Sequence, residues 1–86
     1  MTDDYAIITF DNTHHAIASE QRLIALGFWV RIIPVPTQVT ANCGLAVRFQ
    51  PEEYGRIFPL LEDFSDTSYY TVHIEGRKKA VLPLKK

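Results

Sequence analysis

Apolar and polar residues change period several times along this chain, and each change marks an element. Tyr5-Ala6-Ile7-Ile8-Thr9-Phe10 places strand formers at consecutive positions, as expected of a strand covered on both faces in the middle of a sheet. Asp11-Asn12-Thr13 then offers three side chains able to cap a helix. Ala16, Ile17, Glu20, Leu23 and Ile24 follow at helical spacing until Gly27 supplies a left-handed stop. This predicts a helix over about residues 13–26. Phe28-Trp29-Val30-Arg31-Ile32-Ile33 reads as a second strand, ended by Pro34 and Pro36, which lack the amide donor that a strand interior needs.

After a polar stretch, Leu45-Ala46-Val47-Arg48-Phe49 alternates, with Leu45, Val47 and Phe49 on one face. Pro51 suits a first helical position, Glu52 and Glu53 complement a helix N-terminus, and Tyr54, Ile57, Phe58 and Leu61 recur with helical period. The second helix is expected over about residues 51–63, kinked or shortened by Pro59. Tyr69 to Glu75 alternates as a fourth strand, with Tyr70, Val72 and Ile74 on one face, and Gly76 closes it.

The order β-α-β-β-α-β predicts an α+β, ferredoxin-like βαββαβ sandwich: a four-stranded antiparallel sheet of order 4-1-3-2 with both helices on one face. Residues 1–75 form that domain in this reading, and residues 76–86 a basic C-terminal tail. The face away from the helices is expected to show Tyr5, Ile7, Thr9, Ala46, Arg48, Tyr69, Thr71 and His73. That surface is too apolar to stay bare. Either Ala80-Val81-Leu82-Pro83-Leu84 folds back on it or a second copy packs there as a homodimer.

This topology also brings together segments distant in sequence. The end of the first strand, the start of the first helix, the connection before Leu45 and the turn before the fourth strand share one edge of the sheet. Thr13, His14, His15, Cys43 and Asp66 to Ser68 are therefore expected to gather. The connection Pro34 to Gly44 is itself unusual. Neighbouring antiparallel strands are commonly joined by two to five residues, whereas about nine lie here, with the only cysteine near their end.

Composition narrows what such a gathering does. The chain has 86 residues, 47% hydrophobic and 22% charged, enough for one core and little room for a deep enclosed pocket. No apolar run approaches the ~18 residues that span a bilayer. The acidic, polar start Met1-Thr2-Asp3-Asp4 lacks the features of a secretion signal, so a cytoplasmic location is expected. All ten acidic residues precede Gly76, together with four arginines, and Arg77, Lys78, Lys79, Lys85 and Lys86 follow it. An acidic body repels phosphate, and the third strand turns no aromatic outward for base stacking, so nucleic acid is discounted as a partner.

One cysteine excludes an internal disulfide. Cys43 is in phase with Leu45, Val47 and Phe49, which points its thiol to the helix side. There the free amides and dipole of the first helix would favour a thiolate, and a neighbouring His14 or His15 would lower the thiol pKa further. Burial in phase is equally how an inert core cysteine looks. Gly44 would admit the backbone or sulfur of another molecule. Arg31 and Arg48, on strands near the loop, would attract an anionic sulfur species. Adjacent histidines on a helix do not face one way, and one cysteine is a weak ligand set, so neither a metal nor a cofactor is expected.

Phe10 with Thr13-His14-His15-Ala16, then Arg31-Ile32-Ile33-Pro34-Val35-Pro36, then Asn42-Cys43-Gly44-Leu45-Ala46-Val47-Arg48-Phe49, resembles the selenium/sulfur carrier-like family of short bacterial and archaeal proteins. The likeness covers about residues 5–74. It implies that Cys43 is the carrier residue, loaded with sulfur or selenium as a persulfide or selenopersulfide by a donor enzyme of the cysteine desulfurase kind and unloaded by an acceptor protein. Such a protein is a transfer carrier more than a turnover enzyme. A carrier needs no resolving cysteine, since the acceptor's nucleophile completes the transfer. Two readings stand beside it: a small regulatory or interaction module that dimerises through its sheet and keeps Cys43 structural, and a redox-sensing thiol.

Overall fold

The structure, a computed structural model, describes residues 3–84; Met1, Thr2 and the tail's Lys85 and Lys86 lie outside the described residues. Five strands and two helical segments follow in the order β1 (Asp3–Thr9), α1 (Thr13–Ala25), β2 (Val30–Pro34), β3 (Leu45–Phe49), a second helical segment, β4 (Ser68–Glu75) and β5 (Lys78–Leu84). The strands form one antiparallel sheet of order β2-β3-β1-β4-β5. The expected core order 4-1-3-2 is present within it, but the sheet has five strands rather than four, which corrects the four-stranded ferredoxin-like expectation. The fifth is made by the residues read as a basic tail. Gly76, at φ +61°, occupies the first central position of a two-residue turn, and Glu75 pairs directly with Lys78, the Gly-X arrangement whose twist suits a hairpin.

Asn12 caps α1, its side chain accepting the amide of His15 at 2.9 Å. At the other end, Gly27 takes φ +93°, and the amides of Gly27 and Phe28 bond back to Ile24 and Leu23. This pair of bonds is a Schellman closure, which needs a left-handed residue at Gly27. The second helical segment is broken into a 3₁₀ turn Pro51–Glu53, a single α-turn Tyr54–Ile57 (α2) and another 3₁₀ turn Phe58–Leu61. Pro59 explains the interruption: it has no amide for the carbonyl of Gly55, and its ring crowds that position. β2 starts two residues later than expected and includes Pro34, tolerated because β2 is an edge strand.

Both faces of the sheet are covered. On the helix side Ala6, Ile8, Phe10, Val47, Phe49 and Tyr69 pack with Ala16 and Leu23 of α1 and with Ile57 and Leu61. On the other side Tyr5, Ile7, Ala46 and Val72 form a second buried group, against which Ile33, Val35, Val39, Tyr70, Ile74 and Val81 pack. The expected facing of β4 is therefore reversed. Tyr70, Val72 and Ile74 lie away from the helices and Tyr69 lies under them. The apolar triplet can face that way because Val81 of β5 stands opposite Val72 and the β2–β3 connection lays Val35 and Val39 over the same surface. The segment expected to fold back as a flap instead continues the sheet as its edge.

Ser19 faces the core from α1 with no exposure, and its hydroxyl has no partner among the described residues. An unsatisfied buried hydroxyl costs on the order of 1–3 kcal/mol, and alanine is the better helix former. Ser19→Ala is expected to raise stability by about 1 kcal/mol, read as an upward shift of the urea midpoint at constant slope.

Candidate functional site

The expected gathering of side chains at one edge of the sheet is present in large part. Asp11 and Asn12 link β1 to α1, Thr13 opens α1, and Cys43 ends the β2–β3 connection two residues before β3. The Sγ of Cys43 lies 3.5 Å from the Thr13 hydroxyl and accepts the backbone amide of Leu45 at 3.4 Å. The sulfur is thus met by a hydroxyl from the first turn of α1 and by an amide donor from the start of β3. The thiol belongs to the helix-side core and is only 3% exposed. Its burial follows from register, since Cys43 is in phase with Leu45 and Val47.

Gly44, next to it, is exposed. A methyl group built at Gly44 would meet nothing within 4 Å, so no packing demand explains the glycine. The backbone beside the thiol is open to solvent. The Gly44 carbonyl accepts the amide of Val35 at 3.0 Å and closes the base of the long connection. Asn42 reaches back to the Asp11 carboxylate at 3.5 Å.

His15 and Asp66 form the second part of the site. His15 Nδ1 lies 2.7 Å from Asp66 Oδ2, which also accepts the amide of Asp11 at 3.0 Å. An ionised carboxylate only accepts, so Nδ1 carries the proton and donates, and the 3.3 Å approach of the Asn12 amide nitrogen to the same Nδ1 is then a contact between two donors. The His15 ring rests on Phe64, which Arg22 also covers at 4.9 Å. Arg22 in turn grips Asp63 with two bonds of 2.7 and 2.9 Å and the Leu60 carbonyl at 2.9 Å. The turn carrying Asp63, Phe64 and Asp66 is therefore pinned to α1 near both of its ends. Burial alone would raise the Asp66 pKa, but the bonds from His15 and the Asp11 amide, with the His15 charge, outweigh it and hold the carboxyl below its ordinary value. Its other oxygen, Oδ1, is buried without a partner among the described residues.

The remaining candidates separate from the thiol. His14 is exposed and makes no hydrogen bond or ion pair among the described residues. Arg31 and Arg48 face each other across β2 and β3, on the side of the sheet away from the helices. Arg48 lies over the Tyr5 ring at 4.2 Å, with Trp29 near both guanidinium groups. Arg48 alternates with Val47 and so faces away from Cys43, and Arg31, its cross-strand partner, shares that opposite face, so neither arginine stands beside the sulfur. Asp63 and Phe64, which pin the site, were not singled out by sequence; the only signal for them is a polar turn before a strand. Among the described residues no three His, Cys, Asp or Glu side chains group in a way that would hold a metal ion, and no helix is long and apolar enough to cross a membrane.

A depressed carboxyl pKa stabilises the fold at pH values above the unfolded value of 3.8, and this stabilisation is lost as pH falls through the lower folded value. Asp66→Asn keeps the shape and one acceptor but removes the charge. It is expected to cost about 1–2 kcal/mol at neutral pH. The gap to the parent should close in acid as the parent's own carboxyl is protonated, which denaturant titrations at a series of pH values would follow.

No curated protein and no solved structure matches the chain. A family does: residues 4–74 match the one described as "Putative Se/S carrier protein-like". That span takes in β1 through nearly all of β4, including Thr13, His15, Cys43, Gly44 and Asp66, and it stops short of β5. The chain therefore belongs to the Se/S carrier protein-like family.

Proposed function

We propose that the protein carries sulfur or selenium on Cys43. The observation that supports this reading best is the placement of the only cysteine, at the end of a long connection, with its sulfur against the Thr13 hydroxyl and the Leu45 amide. Both donors can hydrogen-bond an anionic sulfur, and a bond to a charged group is stronger than one to a neutral thiol. Family membership supports the same cargo.

In the proposed transfer, the Cys43 thiolate attacks the outer sulfur of a donor protein's persulfide. A new S–S bond forms on Cys43, the donor's S–S bond breaks, and the donor leaves as a thiolate. An acceptor nucleophile then attacks that same outer sulfur and releases Cys43 as a thiolate. No external oxidant or reductant enters either step. A selenopersulfide follows the same course. A cysteine desulfurase-like enzyme is a suitable donor, and the exposed backbone at Gly44 is the side from which its cysteine would approach. His15 and Asp66 act here as positioning residues, holding the first turn of α1 and hence Thr13. The transfer is proposed to take place in the cytoplasm.

The burial of Cys43 favours a second reading, in which the protein is an interaction module and the cysteine is a core residue. Mass spectrometry after incubation with a cysteine desulfurase and cysteine separates the two. One added sulfur on Cys43, removed by dithiothreitol and absent in Cys43→Ser, is expected. A thiol that takes up sulfur only in denaturant would leave the core reading standing. Thr13→Val removes one hydrogen bond to the sulfur, worth about 1 kcal/mol or roughly fivefold in the loading rate. Gly44→Ala should leave stability within about 0.5 kcal/mol, since nothing opposes the methyl, yet slow loading several-fold by narrowing the approach.

A further inference from the structure

The face of the sheet opposite the thiol carries a cleft of about 620 Å³ between the β2–β3 connection and the β4–β5 hairpin. Its apolar wall is Tyr5, Ile33 and Pro34 to Pro36, and its charged groups are Arg48, Arg77 and Lys79. No carboxylate of the described residues lines it. The net charge of the whole chain is −1, so this is a local segregation of positive charge. Elsewhere the arginines are neutralised: Arg22 by Asp63 and Arg56 by Glu53. By contrast Arg48, Arg77, Lys79 and the neighbouring Arg31 have no carboxylate partner among the described residues.

The arrangement at Arg48 is costly without an anion. Arg31 and Arg48 are directly opposite in the β2–β3 ladder, where like charges repel. The Arg48 guanidinium lies over the Tyr5 ring at 4.2 Å, and its Nε is buried with no hydrogen-bond partner among the described residues, which carries a further penalty. Stacking on an aromatic ring leaves the guanidinium edge free to donate a planar pair of bonds. The other two cations come from the opposite rim, about the turn at Gly76. Gln38 ties the rims together by donating to the Lys79 carbonyl at 3.5 Å.

We propose that this cleft binds a small molecule bearing at least two oxyanion groups, phosphate or carboxylate. One group would sit on Arg48 and the other on Arg77 and Lys79. A cleft of this volume is far larger than a single oxyanion, and its cations stand on two rims. The site is independent of the thiol chemistry, although the two share one segment of chain.

The test is a ¹⁵N–¹H NMR titration of the full chain at low salt with pyrophosphate and, separately, citrate. Saturable shifts at the amides of residues 5, 33, 35, 37, 38, 48 and 77–79 are expected with at least one of the two, and the tighter of them identifies the phosphate or the carboxylate source. Arg48→Lys, which keeps charge but loses the planar fork, should weaken binding by about tenfold. Arg77→Gln with Lys79→Gln, both exposed and safe for folding, should weaken it at least as much. Cys43→Ser should bind as the parent does. The proposal is overturned if neither anion shifts these residues, if the Arg77/Lys79 double variant binds unchanged, or if Cys43→Ser abolishes binding.

Discussion

Ile7 and Ile8 are neighbours in sequence, point to opposite faces of β1, and both have no solvent exposure. A central strand that is apolar on both sides obliges the rest of an 86-residue chain to build two covering layers. The helices supply one, through Ala16, Leu23, Ile57 and Leu61. The second face is closed without a helix, by Val81 on an added edge strand and Val35 and Val39 on the β2–β3 connection. This requirement explains the length of that connection, which a simple hairpin would not need, and it gives the segment after Gly76 a structural reason to be a strand.

The helix-side layer places the thiol. Because β3 must show Val47 and Phe49 to the helices, Cys43 follows in phase and meets the first turn of α1. The same alternation sends Arg48 to the other face. A single strand therefore separates two chemistries, a sulfur with neutral donors on one side and unpaired guanidinium groups on the other. Asp66 adds to the first of these by fixing α1 from outside the strand, through His15 and the Asp11 amide.

Much of this was legible in the residues. The consecutive strand formers of β1, the caps at Asn12 and Gly27, the break at Pro59 and the meeting of Thr13 with Cys43 all follow from local chemistry or from the βαββαβ order. What was not legible depended on the covering of the second face. Tyr70, Val72 and Ile74 are an apolar triplet whichever way β4 is turned, and only the presence of Val81 and the loop valines decides that they face away from the helices. The Gly76-Arg77 turn was a readable Gly-X hairpin signal, masked because the basic residues and Pro83 after it resemble a solvated terminus. Pro83 is tolerated because β5 is an edge. Arg31 and Arg48 are near Cys43 in sequence but not in space, because alternate positions of β3 diverge and β2 pairs Arg31 with Arg48 on the far face.

The β2–β3 connection serves both faces at once, and its attachments set how the buried sulfur can be reached. Paired strand ends at Pro34 and Leu45, and the Val35 to Gly44 bond just beyond them, hold its base. Past that point Val39 packs on the second buried group, and the polar attachments are few: Gln38 on Lys79, Asn42 on Asp11 and the sulfur on Thr13. Each is a single weak bond at 3.5 Å, and none belongs to the sheet ladder. Local opening of a segment costs roughly what its own contacts are worth, far less than unfolding the domain. Under the proposed carrier reading, a partner reaching Cys43 would displace Asn42 and the end of the connection, while β2 and β3 stay paired. The long loop lets a thiol be 3% exposed and still lie at the edge of the fold rather than in its centre.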